Sequence, residues 1–340
     1  MSMPRDNRRG RPSGGSRIHQ GLVGSRALIG TPYLADPSLR AEYARDIAPR
    51  TGPALTKILG EVFPEPQARR RPRRVLDLGA GTGAAGAAVE RYFGSDVDLV
   101  SVDRLRAGAG GIHAKGLIAD VTDLAALIRV AAPAPNGRFD LVVAAHVLNE
   151  LFVDDPSSGR PAKLATLVRR WSEALVGDGG TLIVVEPALR ETSRVLLAVR
   201  DELLRVGLHI VAPCFFTGPC PALLRPRDWC HDAVHTDRQH AAVDFSYLVM
   251  RASGEPVSDA SLFRIVSDPL PEKGRFKLYG CGASGRHAIA RLDRHATPAN
   301  GDMDRLARGD IAQIARTTFA QDGLRVVKDT TVTRQRKVPG

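Results

Sequence analysis

The sequence lacks the apolar segments that membrane insertion or export requires. No apolar run approaches the roughly 20 residues that span a bilayer, and the first 26 residues lack the apolar stretch of a secretory signal. The N-terminus carries one acid, Asp6, among arginines and serines, as organellar transit peptides do, but its Gly and Pro content argues against their amphipathic helix. We expect a protein that is not exported and has no membrane partner.

The sequence also lacks a balance of charge. Its formal net charge is +11, which favours a polyanionic partner, nucleic acid above all, because neutralised phosphates release their counterions. Solvated tails that improve solubility are the alternative explanation. The basic residues fall into three clusters: Arg5, Arg8, Arg9 and Arg11; Arg69, Arg70, Arg71, Arg73 and Arg74; and Arg334, Arg336 and Lys337.

Composition divides the chain into four expected parts, without an internal repeat. Residues 1–26 are rich in Gly, Ser and Arg, and we expect a disordered basic arm. Residues 27–73 are predicted to form a helical preface and a Pro/Arg linker. Residues 74–255 form the main domain, in which the Cys-rich segment 212–235 is predicted to be an inserted loop. Residues 256–340 are predicted to form a small β-rich extension.

From Val75 onward, short β-rich runs alternate with helical segments, which is the pattern of a doubly wound α/β sheet. A predicted helix with Leu164, Val168 and Trp171 on one face ends at the glycine-rich segment 177–180. The predicted strands cover residues 74–78, 97–102, 116–119, 139–145, 181–186 and 243–252.

The segment VLDLGAGTG, residues 75–83, is a strand that ends in an acid and turns through Gly79, Gly81 and Gly83. Glycines allow a sharp turn and close approach to a ligand. A dinucleotide would place its pyrophosphate at the following helix, where a nearby carboxylate is unfavourable. S-adenosylmethionine instead brings an ammonium and a sulfonium, which fit Asp77. This segment resembles the first motif of the class I methyltransferases.

Two more acids follow predicted strands. Asp103 lies 20 residues beyond Gly83, where an acid accepts hydrogen bonds from ribose hydroxyls. The resemblance to class I methyltransferases places Asp120 near the adenine amino group. Asp120 is also suited to capping the next helix, which starts at Asp123.

The fourth predicted strand is followed by HVLNEL, which brings three candidate catalytic residues, His146, Asn149 and Glu150, to the ligand-binding edge of the sheet. Glu186, after the fifth strand, is a fourth candidate. A structural, hydrogen-bonded role explains them equally well. The chain lacks both the Asn/Asp-Pro-Pro-aromatic motif of amino-group methyltransferases and the Pro-Cys pair of cytosine carbon-5 methyltransferases at this strand end.

The four cysteines are Cys214, Cys220, Cys230 and Cys281. Disulfides are disfavoured in a protein that is not exported, so four thiols indicate a metal site, with four unrelated buried cysteines as the alternative. The closely paired spacing of zinc knuckles is absent, and Pro and Gly neighbours leave backbone amides for sulfur, which favours iron-sulfur over zinc. His231 is a possible substitute ligand. The CxxxCxxC run of radical S-adenosylmethionine enzymes is also absent.

Four segments together carry a more specific resemblance: AHVLNEL, GGTLIVVEPALRETSRVLLAVRDEL, PCFFTGPCPAL and DWCH. They look like the mitoribosomal small-subunit methyltransferase-like family and its bacterial relatives, over residues 75–286. The resemblance implies a class I methyltransferase fold, a role in small-subunit assembly with ribosomal RNA as partner, and a [4Fe-4S] cluster on the four cysteines. It also implies the bacterial cytoplasm or, in a eukaryote, the mitochondrial matrix. Active methyl transfer and a non-catalytic assembly role both remain open.

Overall fold

The computed structural model describes residues 16–68, 71–105, 115–131, 137–156, 158–235, 242–255, 257, 259–320 and 323–335. Within this part, no helix combines the length and apolar character needed to cross a membrane. The helices are α1 Arg17–His19, α2 Pro37–Asp46, α3 Thr51–Val62, α4 Ala84–Phe93, α5 Leu124–Ala131, α6 Arg160–Leu175 and α7 Arg190–Arg205.

The first sheet contains eight strands, β1 to β8. Their order is β3-β2-β1-β4-β5-β8-β6, and β7 pairs with β8. The neighbours from β3 to β5 are parallel, whereas β8 runs antiparallel to β5 and to β6. The strands are β1 Arg74–Leu78, β2 Asp98–Asp103, β3 Lys115–Ile118, β4 Phe139–Ala145, β5 Val176–Pro187, β6 His209–Ala212, β7 Asp232–His235 and β8 Ala242–Arg251.

This strand order, with one antiparallel strand inserted near the end of a doubly wound parallel sheet, is that of the class I methyltransferases. The predicted fold class is therefore confirmed. Both faces of the sheet are covered, as its near-continuous apolar strands require. On one face, α6 buries Leu164, Val168 and Trp171 completely, as its helical periodicity predicts. On the other, α3 and α4 pack beside β1 through Leu55, Ile58 and other apolar side chains.

A second sheet follows, in the order β14-β15-β12-β11-β9-β13-β16, with β10 paired to β11. It has its own core around Phe263, Leu278 and Ile289, while Leu262 and Ile311 join the core of the first sheet. The strands are β9 Leu262–Ile265, β10 Leu270–Glu272, β11 Arg275–Gly282, β12 Gly285–Leu292, β13 Ile311–Ala315, β14 Thr318–Ala320, β15 Gly323–Val326 and β16 Thr331–Gln335.

The N-terminal region differs from expectation. Residues 1–15 of the expected arm lie outside the described residues, but residues 17–24 are helical, because Ile18 and Leu22 bury against Tyr33 and Ile47. The helical preface is confirmed as α2 and α3, and Pro53 lies in the first turn of α3, where a missing N–H costs nothing.

Two other segments also differ in detail from the sequence-based expectation. Residues 177–180, expected to end a helix, are the start of β5, since α6 already ends at Leu175. The expected loop 212–235 contains a strand, β7, which pairs with β8.

Candidate functional site

The carboxyl ends of β1, β2 and β4 open into a cavity of about 260 Å³. This is the edge of a doubly wound sheet where ligands bind. The cavity brings together seven of the residues singled out in the sequence: Asp77, Gly79, Gly81, Asp103, Asp120, His146 and Glu150. Gly83, Asn149 and Glu186 lie outside its lining.

Asp77 is a buried acid on the wall of this cavity. Its side chain is almost completely buried, and its Oδ2 accepts a hydrogen bond from the Gly86 N–H at 2.9 Å. Its Oδ1 is buried without a hydrogen-bond partner among the described residues. Burial raises the pKa of Asp77 to about 7, with a further contribution from the neighbouring charge of Asp103. A buried carboxylate oxygen without a donor is a place for a cationic group.

The glycine turn has the backbone that only glycine adopts easily. Gly79 has φ of +69° and Gly81 has φ of +51°. A Cβ at Gly79 would lie 2.5 Å from Val147 Cγ2, in the loop after β4. Gly83, with φ of +82°, is the N-cap residue of α4 and shapes the turn from outside the cavity.

Asp103 and Asp120 hold turns at the edge of the cavity. Asp103 accepts hydrogen bonds from the N–H groups of Gly81 and Leu105, at 2.9 and 3.0 Å, and so ties the glycine turn to the end of β2. Asp120 accepts from the N–H and hydroxyl of Thr122. The cap of α5 is Asp123, whose Oδ1 accepts from the Ala126 N–H at 3.0 Å. The capping role considered for Asp120 is therefore filled by another residue.

The loop after β4 holds His146 in a left-handed conformation, with φ of +62°, which is uncommon for a residue with a side chain. The loop is fixed from several sides. Glu186 accepts hydrogen bonds from the N–H groups of Leu148 and Asn149, and the Asn149 amide donates to the His146 carbonyl. The guanidinium of Arg160 donates to three carbonyl oxygens of the same loop. Asn149 and Glu186 are thus positioning residues, whereas His146 lines the cavity.

The remaining wall comes from the N-terminal region, which sequence reasoning did not connect with the site. The hydroxyl of Tyr33 donates to Glu150 Oε1 at 2.6 Å, across 117 residues of sequence. Burial raises the pKa of Glu150 to about 7, and burial lowers that of His146 to about 4. The cavity therefore carries a neutral imidazole at neutral pH. Tyr33, Leu34 and Tyr43 gave no motif signal, because only the tertiary fold places them over the glycine turn.

The four cysteines, all free thiols, line a second, smaller cavity of about 40 Å³. Three come from the segment between β6 and β7, and Cys281 comes from β11 of the second sheet. Among the described residues, no three His, Cys, Asp or Glu side chains lie close enough together to hold a single metal ion. His231 Nδ1 lies 2.6 Å from the indole nitrogen of Trp229, which donates to it.

Residues 40–308, more than half of the chain, match the protein family described as mitochondrial small ribosomal subunit Rsm22. The chain belongs to the Rsm22 family. The predicted resemblance is confirmed, and the chain is a methyltransferase-like protein of a ribosome-related family. The match includes all four cysteines and the lining of their cavity, and it includes the first cavity except for the wall formed by residues 31–34. No curated protein matches the sequence significantly.

Solved structures similar to this Rsm22-family chain are distant methyltransferases. Human N-acetylserotonin methyltransferase, solved with S-adenosylmethionine, has a TM-score of 0.40 and 13% identity, over 71% of this chain and 64% of that one. The N-methyltransferase NodS of Bradyrhizobium japonicum scores 0.39 with 15% identity, over 69% and 98%. The mitomycin 7-O-methyltransferase scores 0.38 with 15% identity, over 64% of this chain and 58% of its own length. At these scores, the fold assignment depends on the strand order.

Proposed function

We propose that this chain is a methyltransferase-like protein of the small ribosomal subunit that binds S-adenosylmethionine at the glycine turn, binds ribosomal RNA, and carries a structural [4Fe-4S] cluster. The observation that carries the cofactor assignment is the buried, partnerless Oδ1 of Asp77 in the cavity. Asp77, Asp103 and Asp120 would hold the cationic, ribose and adenine parts of the cofactor. When bound, S-adenosylmethionine supplies an electrophilic methyl group.

The cofactor assignment predicts a pH dependence of binding. Because the pKa of Asp77 is raised to about 7, its carboxyl is protonated below that pH in the free protein. A cationic ligand favours the ionised form, so affinity should rise from about pH 6 to about pH 8 and then level off. Asp77→Asn should weaken binding roughly tenfold to a hundredfold, as expected for a charge-assisted hydrogen bond, and should flatten the pH profile. Isothermal titration calorimetry with S-adenosylmethionine measures both effects.

The matched control is Asp123→Asn, which removes a nearby carboxylate outside the cavity lining and leaves a residue that also caps helices well. This variant should bind the cofactor as the wild type does. Equal affinity of the Asp77→Asn variant, with the wild-type pH profile, would reject the role of Asp77.

The cysteine cavity supports the cluster assignment through its donor set. Four thiols face one small space, and no tight trio exists among the described residues. A single tetrahedral zinc ion needs its sulfurs within about 3.8 Å of one another, given a metal–sulfur distance near 2.3 Å. A [4Fe-4S] cluster keeps its four thiolates further apart, because the cube of iron and sulfide lies between them. Cys214, Cys220, Cys230 and Cys281 would be its ligands, and zinc is the alternative outcome of a metal analysis.

Replacing Cys220 with Ser should therefore empty the site and lower thermal stability together. The cluster would join the segment between β6 and β7 to the distant β11. Its metal–sulfur bonds would offset the conformational entropy lost when this segment is ordered, so removing the cluster lowers the stability of the fold. We expect iron and sulfide to fall to near background and the melting temperature to drop by several degrees after anaerobic purification. Thr217→Ser, at an exposed position of the same segment, is the control. A variant with wild-type metal content and melting temperature would contradict the proposal.

Methyl transfer to small-subunit RNA is the activity that the cavity favours. His146, a neutral imidazole in a left-handed conformation, lines the cavity, and such strained positions cluster at functional sites. A non-catalytic assembly factor is the second candidate, favoured by the missing acceptor motif after β4. In that case, the cavity is a vestigial cofactor pocket, and failure to bind S-adenosylmethionine in calorimetry would favour this candidate.

The RNA assignment rests on family membership and on the net charge of +11. The described arginines of two predicted basic clusters are paired with acids of this chain. The described arginines 71, 73 and 74 pair with Asp96 and Asp98, and Arg334 pairs with Asp310. Residues 5–11, 69–70 and 336–337 lie outside the described residues. We place the protein with its ribosome, in the bacterial cytoplasm or in the mitochondrial matrix of a eukaryote.

A further inference from the structure

Helix α7 holds the segment that carries three of the four cysteines. The guanidinium of Arg194 donates to the carbonyl oxygens of Ala222, Arg225 and Asp228, at distances from 2.6 to 3.0 Å. These carbonyls lie between Cys220 and Cys230. Leu197, one turn further along α7, lines the cysteine cavity itself. The helix therefore fixes the segment by contacts that need no metal.

Arg200 makes the corresponding contacts with the segment between Cys214 and Cys220. Its side chain is about 1% exposed, and its two terminal nitrogens donate to the carbonyl oxygens of Phe216 and Gly218. Its neighbour Asp201 accepts hydrogen bonds from Arg200 at 2.6 Å and from the Cys220 N–H at 2.9 Å. The Nε of Arg200 is buried without a hydrogen-bond partner among the described residues.

The guanidinium of Arg200 is also close enough to the cysteine sulfurs to interact with them electrostatically. Its positive charge would stabilise the thiolate forms of Cys214, Cys220 and, from the second sheet, Cys281. A fully buried guanidinium beside sulfurs is costly unless a negative charge accompanies it. Asp201, about 25% exposed, provides one such charge. Thiolates that hold a metal centre would provide more.

We propose that Arg200 is the positioning residue of the cysteine site, fixing the segment from Cys214 to Cys220 in advance and supplying positive charge to an anionic metal–thiolate centre. This inference rests on the proposed cluster. Two separate roles follow from the side chain. Its two terminal N–H groups hold the carbonyl oxygens of Phe216 and Gly218 in place. Its positive charge offsets the negative charge that four thiolates and sulfide would bring into a buried space.

Arg200→Met removes both the donors and the charge, whereas Arg200→Lys keeps the charge and loses the fork. Arg205→Met is the matched control, because it makes the same change at the exposed end of the same helix, where the side chain is 71% exposed. The proteins are purified anaerobically as full chains. The measurements are iron and sulfide per chain, the rate of iron release to a chelator, the midpoint reduction potential and the melting temperature of the metal-free form.

We expect metal affinity to fall roughly 10- to 100-fold in the Arg200→Met variant, with correspondingly faster iron release, as happens when outer partners of a metal site are lost. Its midpoint potential should become more negative, because a nearby positive charge favours the reduced, more negative centre. The Arg200→Lys variant should keep the wild-type potential and release iron at an intermediate rate. The Arg205→Met variant should match the wild type in all measurements.

A purely structural role for Arg200 would lower the melting temperature of the metal-free form and leave the potential unchanged, and that result would overturn the charge role. The same potential shift in both Arg200 variants would also overturn it. Wild-type iron release and potential in the Arg200→Met variant would reject the whole inference while leaving the cluster assignment intact. A wild-type protein without iron and sulfide would instead reject the cluster itself.

Discussion

Replacing Arg264 with Met should destabilise the protein by roughly 3–5 kcal/mol, as expected when one partner of a buried ion pair is removed. Arg264 is about 3% exposed and forms two parallel hydrogen bonds with Glu61, at 2.9 and 3.0 Å. It also donates to the carbonyl of Gly309, and Tyr247 donates its hydroxyl to the same Glu61 carboxylate. Without the guanidinium, a buried carboxylate would lose its counter-charge.

The ion pair between Arg264 and Glu61 connects parts of the chain that are far apart in sequence, so breaking it removes contacts between them. Glu61 lies on α3 of the preface, Tyr247 on β8 of the first sheet and Arg264 on β9 of the second. Arg264 also donates to the carbonyl of Pro213, the residue before Cys214. One pair thus joins the three structural parts of the chain beside the cysteine cavity, which Arg264 itself lines.

Chemical denaturation of the metal-free protein, which gives the free energy of unfolding, tests this prediction. The double variant Arg264→Met with Glu61→Gln should recover a large part of the lost stability, because no uncompensated charge remains buried. Glu202→Gln, which breaks the exposed pair with Arg205, should change the unfolding free energy by less than about 1 kcal/mol. If Arg264→Met costs no more than Glu202→Gln, the buried pair does not hold the parts together.

Replacing Gly79 with Ala should have the largest effect on the cofactor cavity. The left-handed φ of Gly79 costs a residue with a side chain roughly 1–2 kcal/mol. The new Cβ would also meet Val147 Cγ2 at 2.5 Å, and overpacking of that kind typically costs about 1–3 kcal/mol more. Val147 is buried in the loop that carries His146, so its displacement would disturb that loop. We expect both lower stability and at least roughly tenfold weaker S-adenosylmethionine binding.

Gly274→Ala is a matched control, because Gly274 has a similar φ of +75° but no atom within 4 Å of its Cβ position. It should cost only the backbone strain and leave cofactor binding unchanged. If the protein methylates small-subunit RNA, transfer from labelled cofactor should be lost in the Gly79 variant and retained in the Gly274 variant. Wild-type affinity in the Gly79 variant would show that the cofactor does not bind at this turn.

Local sequence patterns predicted the elements of the sheet well. The bounds of β1 and β4 agree with the predicted strands, because their short apolar runs are buried and are followed directly by Gly79 and His146. The glycines of the turn after β1 were also recognisable from the sequence, because glycine adopts a left-handed backbone more easily than other residues.

Roles at the candidate site were harder to predict. Glu186, Asn149 and His146 are similar polar residues at strand ends, and the sequence offered no way to rank them. The structure separates them, because the side chains of Glu186 and Asn149 form hydrogen bonds with the backbone of the loop, whereas His146 lines the cavity. The arginines at positions 71, 73 and 74 suggested a nucleic-acid contact, yet they pair with acids that lie more than 20 residues away.

By itself, the sequence determined the class I methyltransferase fold, the glycine turn and the family, because these depend on residue patterns that are local or short in range. Only the tertiary structure decided which residues without a motif complete the two cavities. Tyr33 reaches Glu150 across 117 residues, and Arg200 donates to carbonyl oxygens between Cys214 and Cys220. Such contacts form when whole helices and strands pack together, because burial and charge pairing then depend on distant parts of the chain. A local sequence pattern does not predict them.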